Sequence, residues 1–369
     1  MARVLQDQWD NGLTVLIEPL ARPAAALQIL LPTGGAGDPA GGEGTAAVLH
    51  HFAQRGAGER DTRALSEAID GLGARRGGGA GRDATTWSLT CLADDWSAAA
   101  GLIADSVRAP RLPDDAFEPC RALVAQELAG LDDDPGQKLM VALTGRYFPG
   151  AFGRCLLGSG ESLAALSAQT VRDAWRASWR PQGAVVAVAG GVEPQAALDR
   201  LRELFGDWDG AAPALPPVEP RASFDYGHVA AETQQVHLGL AYADVPPDHP
   251  QRYEAQMAVQ VLSGGMGARL CTEVREKRGL CYAVGAYNQV VKGHGYVIAR
   301  AGTTTERSSE TLAVLADELT ALPGTVTDAE VERGRVRLLS NLVMNDESTL
   351  ARAARLANDH YLLGRVRSV

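Results

Sequence analysis

Apolar positions along this chain recur with two periods. Residues 25–31 (AALQILL), 86–92 (TWSLTCL) and 184–189 (AVVAVA) are short apolar or alternating runs that predict strands. Stretches around 44–55, 98–107, 162–179 and 194–205 carry apolar residues three and four apart and predict helices. The same order begins again in the second half, with a strand at 235–242, a helix around 251–263, a strand at 295–300 and a helix at 308–319. Asp114 and Asp115 open a later helix in the first copy, and Asp328 does so in the second, where acidic residues suit the helix dipole. Two tandem copies of one α+β unit follow from this pattern.

Between the copies lies a Pro-rich stretch without periodicity, 210–220. The predicted organisation is a first domain over 1–210, a linker over 211–221 and a second domain over 222–369. The second copy stops near the point that matches Gly158 and Ser159. Roughly 45 residues of the first copy, including a strand and a closing helix, thus lack a counterpart by the repeat. That predicts a second sheet with an open edge and an uncovered apolar face, as in a truncated or proteolysed chain.

At 369 residues the chain is too long for one ordinary core and suits two domains. With 46% hydrophobic and 22% charged residues it has the composition of a soluble globular protein. A net charge of -10 argues against a nucleic-acid surface, which needs a clustered basic face. Five cysteines without a C-x-x-C pair read as reduced, mostly buried thiols. No apolar run reaches ~18 residues and the first residues lack an apolar leader core, so no membrane role and a cytoplasmic location are expected.

Candidate chemistry centres on residues 47–51, AVLHH. An inverted zinc motif, His-x-x-Glu-His, places two histidines four apart on one helical face and a glutamate beside the second to activate water. Here Ala47 stands at the first ligand position and His50 at the base position, and only His51 stands where a ligand belongs. Adjacent helical residues point ~100° apart, so His50 and His51 cannot face one metal and read as two partly buried helix histidines. The glycine run at 75–83 lacks phosphate-loop spacing and is expected to be a flexible loop. In the second half Arg278 and Tyr282 sit four apart around Gly279. They could clamp a peptide carbonyl or carboxylate. Alternatively, Arg278 is one surface cation of the charged run 275–278, with Tyr282 packed beneath it.

The order of four segments, 11–15 (NGLTV), 44–56, 181–185 (PQGAV) and 275–282 (REKRGLCY), resembles the M16 (pitrilysin or mitochondrial-processing-peptidase-like) zinc peptidases over essentially the whole chain. The resemblance implies an α+β fold of two tandem homologous domains, each an antiparallel sheet with helices packed on one side. It also implies a chamber for unfolded peptides. Short members pair subunits, one bearing the zinc helix and the other an arginine and tyrosine that hold substrate.

Carried over residue by residue, the family's third zinc ligand falls on Glu127, 76 residues after His51, and its supporting glutamate falls on Cys120. His51 and Glu127 are kept, whereas positions 47, 50 and 120 are changed. The resemblance therefore implies a chain inactive alone and without its own cofactor. Zinc would be held by a sister subunit, and Arg278 and Tyr282 would contact the peptide. The place of the family's substrate-pairing strand is taken by the glycine run. The alternative is a homodimeric peptide-binding or scaffold protein with no peptidase role.

Overall fold

The computed structural model describes residues 4–367, and the elements run along the chain in the following order. β1 (Leu5–Gln8), β2 (Thr14–Pro19), β3 (Ala24–Leu31), α1 (Thr45–Phe52), α2 (Thr62–Gly71), β4 (Arg75–Ala80) and β5 (Thr85–Leu92) come first. Next are α3 (Trp96–Arg108), α4 (Asp114–Gly130), α5 (Pro135–Tyr147), α6 (Gly160–Ala165), α7 (Ala168–Ser178), β6 (Val185–Gly190) and α8 (Pro194–Phe205). The second half has β7 (Val236–Asp244), α9 (Arg252–Ser263), β8 (Cys281–Val291), β9 (His294–Thr303), α10 (Ser308–Thr320), α11 (Asp328–Asp346) and α12 (Thr349–Leu363). Two compact units form, and each borrows a helix from the other half of the sequence. One takes residues up to 129, 154–217 and from 345 onward; the other takes 130–153 and 218–344.

The first unit is built on a six-stranded sheet in the order β1-β2-β6-β3-β5-β4. Every pairing is antiparallel except β2 with β6, which runs parallel, as the long connection between these two strands allows. One face packs Leu27, Ile29 and Val186 against Val48, Phe52 and Leu201 in the main core. The expectation of helices on one side only does not hold for this sheet. α12 covers the second face, where Leu16, Leu30, Val185 and Ala187 meet Leu356, Ala357 and Tyr361. The cause lies in β2, β3 and β6 themselves, which are apolar at successive rather than alternate positions and so need cover on both faces.

Two further expectations change. The glycine run is not a loop: Arg75–Ala80 forms the edge strand β4, in unbroken register from Arg75 opposite Thr90 to Ala80 opposite Thr85. Ladder hydrogen bonds outweigh the poor strand propensity of glycine here. Gly78 also has a positive φ of 124°, and a Cβ there would lie 2.1 Å from the Thr86 carbonyl oxygen, so the backbone needs glycine to approach. The helix expected over 162–179 breaks at extended Leu166, after which the Ser167 hydroxyl caps α7 by accepting from the Thr170 N–H.

The second unit holds a three-stranded antiparallel sheet, β7-β9-β8. Val259, Leu262, Val297, Ala299 and Leu315 form its core. Leu139 and Leu143 of α5 lie against Gly239 of β7. β3 of the first sheet is flanked by β5 and β6, whereas β7 pairs only with β9 among the described residues. On α11, Val336, Leu339, Val343 and Met344 are exposed.

Candidate functional site

α1 begins at Gly44, whose φ of 94° and missing side chain leave the first helical N–H groups without a local cap. Asp38, from the preceding turn, supplies one: its Oδ2 accepts from the Gly44 N–H at 2.9 Å and its Oδ1 from the Ala46 N–H at 3.0 Å. Burial pushes the Asp38 carboxyl up to about 7, against the opposing pull of those two hydrogen bonds. A folded-state value above the unfolded one means that the folded chain binds the proton more tightly. Its contribution to stability is therefore complete below about 4 and is lost as pH rises through about 7. Asp38→Asn, which keeps an acceptor oxygen but does not titrate, is expected to remove this decline. Urea melts at pH 4.5 and 7.5 check it, and equal pH dependence in the two proteins would refute the assignment.

From this start α1 sends Val48, Leu49 and Phe52 into the core. His50 follows them: it is 6% exposed and lies 4.6 Å from the Trp87 ring, which in turn stands edge-on to Trp179. Burial first, then His51 and Arg76, lower its pKa to about 4, and its Nδ1 is buried without a hydrogen-bond partner. It is a neutral, space-filling imidazole. His51 points elsewhere, with its ring 6.1 Å from that of His50 and at 76° to it. Its Nε2 lies 3.4 Å from Glu127 Oε1 on α4, so the fold does bring these two sequence-distant positions together. Cys120, two turns earlier on α4, is buried and accepts a hydrogen bond from Arg55 Nε at 3.3 Å; burial raises its thiol.

These donors do not fit a catalytic zinc. Such a site uses three protein ligands and an open position. Here His51 and Glu127 face each other, Ala47 one turn earlier offers a methyl group, His50 is committed to Trp87, and Cys120 is a protonated thiol held by Arg55. Among the described residues no group of three or more His, Cys, Asp or Glu side chains is placed to hold a metal. Two residues beside this site were not anticipated from the sequence, Arg55 just after α1 and Arg76 on β4. The only local signal was the arginine pair that opens the glycine run.

In the second unit, Cys271–Glu276 forms a wide helical turn, and Gly279, at a φ of 60°, redirects the chain into β8. Arg278 donates from Nη1 to the Glu273 carbonyl at 2.7 Å and to Glu273 Oε2 at 2.8 Å. Lys277 and Arg278 together hold the Glu273 carboxyl below its usual range. Tyr282 does not pack beneath the charged run: it is 84% exposed, with the Arg275 guanidinium 5.6 Å above its ring.

Residues 14–149 match the family described as Insulinase (Peptidase family M16), and residues 165–338 match the Peptidase M16 inactive domain. An uncharacterized zinc protease of Streptomyces coelicolor is 28% identical over 88% of this chain and 73% of its own length. Another, from Rickettsia bellii, is 24% identical over 96% of this chain and 87% of its own. Among solved structures, a peptidase M16 inactive domain from Pseudomonas fluorescens superposes with a TM-score of 0.89 at 24% identity, covering 98% of this chain and 88% of that one. A protease from Helicobacter pylori gives 0.86 at 18% identity, over 98% and 90%. At such identities these two structures establish the fold.

Proposed function

The chain belongs to the M16 peptidase family, and on that premise we propose that it is the non-catalytic subunit of a heteromeric peptidase. It pairs with a zinc-bearing sister subunit and contributes Arg278 and Tyr282 to the binding of an unfolded peptide. The observation that carries this reading is α1 itself. The His51–Glu127 contact of a zinc helix is retained at 3.4 Å, while position 47 cannot ligate and position 50 cannot serve as a base. The sister supplies metal-assisted hydrolysis. Tyr282, held out in solvent with the Arg275 guanidinium over its ring, supports a substrate contact, because an exposed phenol keeps its donor free. Nothing in the helices requires a membrane: among the described residues none is long and apolar enough to cross one. A cytoplasmic location belongs to the same proposal.

The test is co-purification with an M16 chain that carries an intact His-x-x-Glu-His helix, followed by peptide hydrolysis assays. Arg278→Ala is expected to lower kcat/KM of the pair by about 100-fold, the scale of one lost transition-state donor, with assembly unchanged by gel filtration. A second reading, a homodimeric peptide-binding or scaffold protein, draws support from Arg278 being already tied to Glu273. It predicts no catalytic consequence of Arg278→Ala in any pairing.

A further inference from the structure

The second unit holds a small sulfur cluster that the residues discussed so far do not explain. Met266 lies in a glycine-rich turn, 264–267, between α9 and the wide helical turn that starts at Cys271. It is 61% exposed, so it does not fill a gap in a core, the usual task of a methionine. Its sulfur is nevertheless engaged. Cys271 donates from Sγ to Met266 Sδ at 3.9 Å, and Arg275 donates from Nη1 to the same sulfur at 3.8 Å. A thioether is a weak acceptor, yet two donors, one of them a cation, converge on it. A sulfoxide oxygen accepts far better. Bonded to that sulfur and directed into the gap, it would stand within ordinary hydrogen-bond reach of both donors. The other contacts of Arg275 are close by: its Nε meets Glu276 Oε1 at 3.4 Å, and its guanidinium lies 5.6 Å from the centre of the Tyr282 ring.

We propose that Met266 is an oxidation site, converted by hydrogen peroxide into a sulfoxide that Arg275 and Cys271 hold. In this step a lone pair of the sulfur forms the S–O bond while the O–O bond breaks. The departing hydroxide takes the proton of the transferred oxygen and leaves as water. Negative charge grows on the departing oxygen in the transition state, and Arg275 and the Cys271 thiol are donors already placed beside it. The product is a polar, chiral side chain where a flexible apolar one stood. Its oxygen then draws on the same guanidinium that lies over Tyr282, so the change reaches the phenol through Arg275. A thiol-dependent sulfoxide reductase reverses the modification and releases the oxygen as water. Regulation of the Tyr282 contact by this route rests on the function proposed above. The modification itself does not, and it needs no sister subunit.

The experiment treats the full chain alone with hydrogen peroxide and follows each methionine by peptide mass mapping. Met344 of α11, 63% exposed, is the internal control for exposure. Met266 is expected to oxidise on the order of 10-fold faster than Met344, the scale of one charge-assisted hydrogen bond gained at the departing oxygen. It should also yield mostly one sulfoxide epimer, because both donors fix the side from which peroxide approaches. Sulfoxide reductases that each accept a single epimer count the two forms, and Met344 should give both. Arg275→Gln should bring Met266 down to the rate of Met344, and Cys271→Ala should weaken the epimer bias, with the thermal midpoint checked to show that the variants fold. Equal rates and equal epimers at 266 and 344 overturn the proposal. So does a rate advantage and epimer bias that survive both variants. Loss of pair activity in Arg278→Ala has no bearing on these outcomes, so the two proposals fail separately.

Discussion

Ala47→His is expected to convert a chain that keeps essentially no zinc through dialysis into one that retains one ion per chain. Positions 47 and 51 lie four apart on one face of α1, so a histidine at 47 would stand over His51. Glu127 already presents Oε1 at 3.4 Å from His51 Nε2, which supplies the third ligand from a separate helix without any movement of backbone. Three ligands and one open position complete a catalytic-type site, whereas two do not. The gain in affinity should exceed the roughly 100-fold that outer hydrogen bonds alone contribute to zinc sites. Elemental analysis after dialysis against zinc and then metal-free buffer measures it. Adding Glu127→Ala should abolish retention. One tightly held zinc in the unsubstituted chain would overturn the reading of Ala47, and zinc retained by the variant without Glu127 would place it somewhere else.

Hydrolysis demands more than metal. With Ala47→His alone, position 50 is still an imidazole packed on Trp87 with its pKa held near about 4, in the wrong place to activate water. The corner is also cationic, through Arg55 and Arg76. A glutamate at 50 would take the same buried place beside Trp87, so metal binding should return before activity does.

What the sequence revealed about this site depended on how local the determining geometry was. Ala47, His50 and His51 share one helix, so the period of the helix fixes their directions, and the two rings do diverge. The meeting of His51 with Glu127 came only from the family spacing, since no local rule joins α1 to α4. Arg55 and Arg76 were invisible as a pair because their proximity depends on β4 lying beside α1. β4 itself was hidden by three glycines whose low strand propensity is overridden by pairing with β5. The repeated order of strands and helices was legible, because it is written in apolar periodicity. The packing partner of the last helix was not. Leu350, Ala353, Leu356, Ala357 and Tyr361 mark an apolar face, but any sheet could have received it.

Arg352→Ala should cost about 3 kcal/mol or more, the range for breaking one side of a buried ion pair. Glu18 lies in β2, 5% exposed, beneath α12. Arg352 meets it with two parallel contacts, Nε to Oε2 at 2.9 Å and Nη2 to Oε1. Arg352 also reaches Asp346 Oδ2 at 3.4 Å, and Arg355 donates to the other oxygen of Asp346 at 2.6 Å, so the charges form a chain. The hydrogen bonds to Glu18 raise the pKa of Arg352, keeping it charged at any working pH. Removing it leaves Glu18 buried against an apolar layer with no cation on that oxygen pair. The double variant Glu18→Leu with Arg352→Leu removes both charges and should recover most of the loss, since it leaves no uncompensated carboxylate. Arg335→Ala, on the exposed Glu332 pair of α11, is the control and should leave stability essentially unchanged. Urea unfolding at pH 7 separates these cases. If Arg352→Ala proves no costlier than Arg335→Ala, α12 is held by Leu356, Ala357 and Tyr361 alone, and the ion chain only sets its register. If the predicted loss appears, this one arginine determines whether the second face of the six-stranded sheet, and with it the platform beneath α1, stays closed.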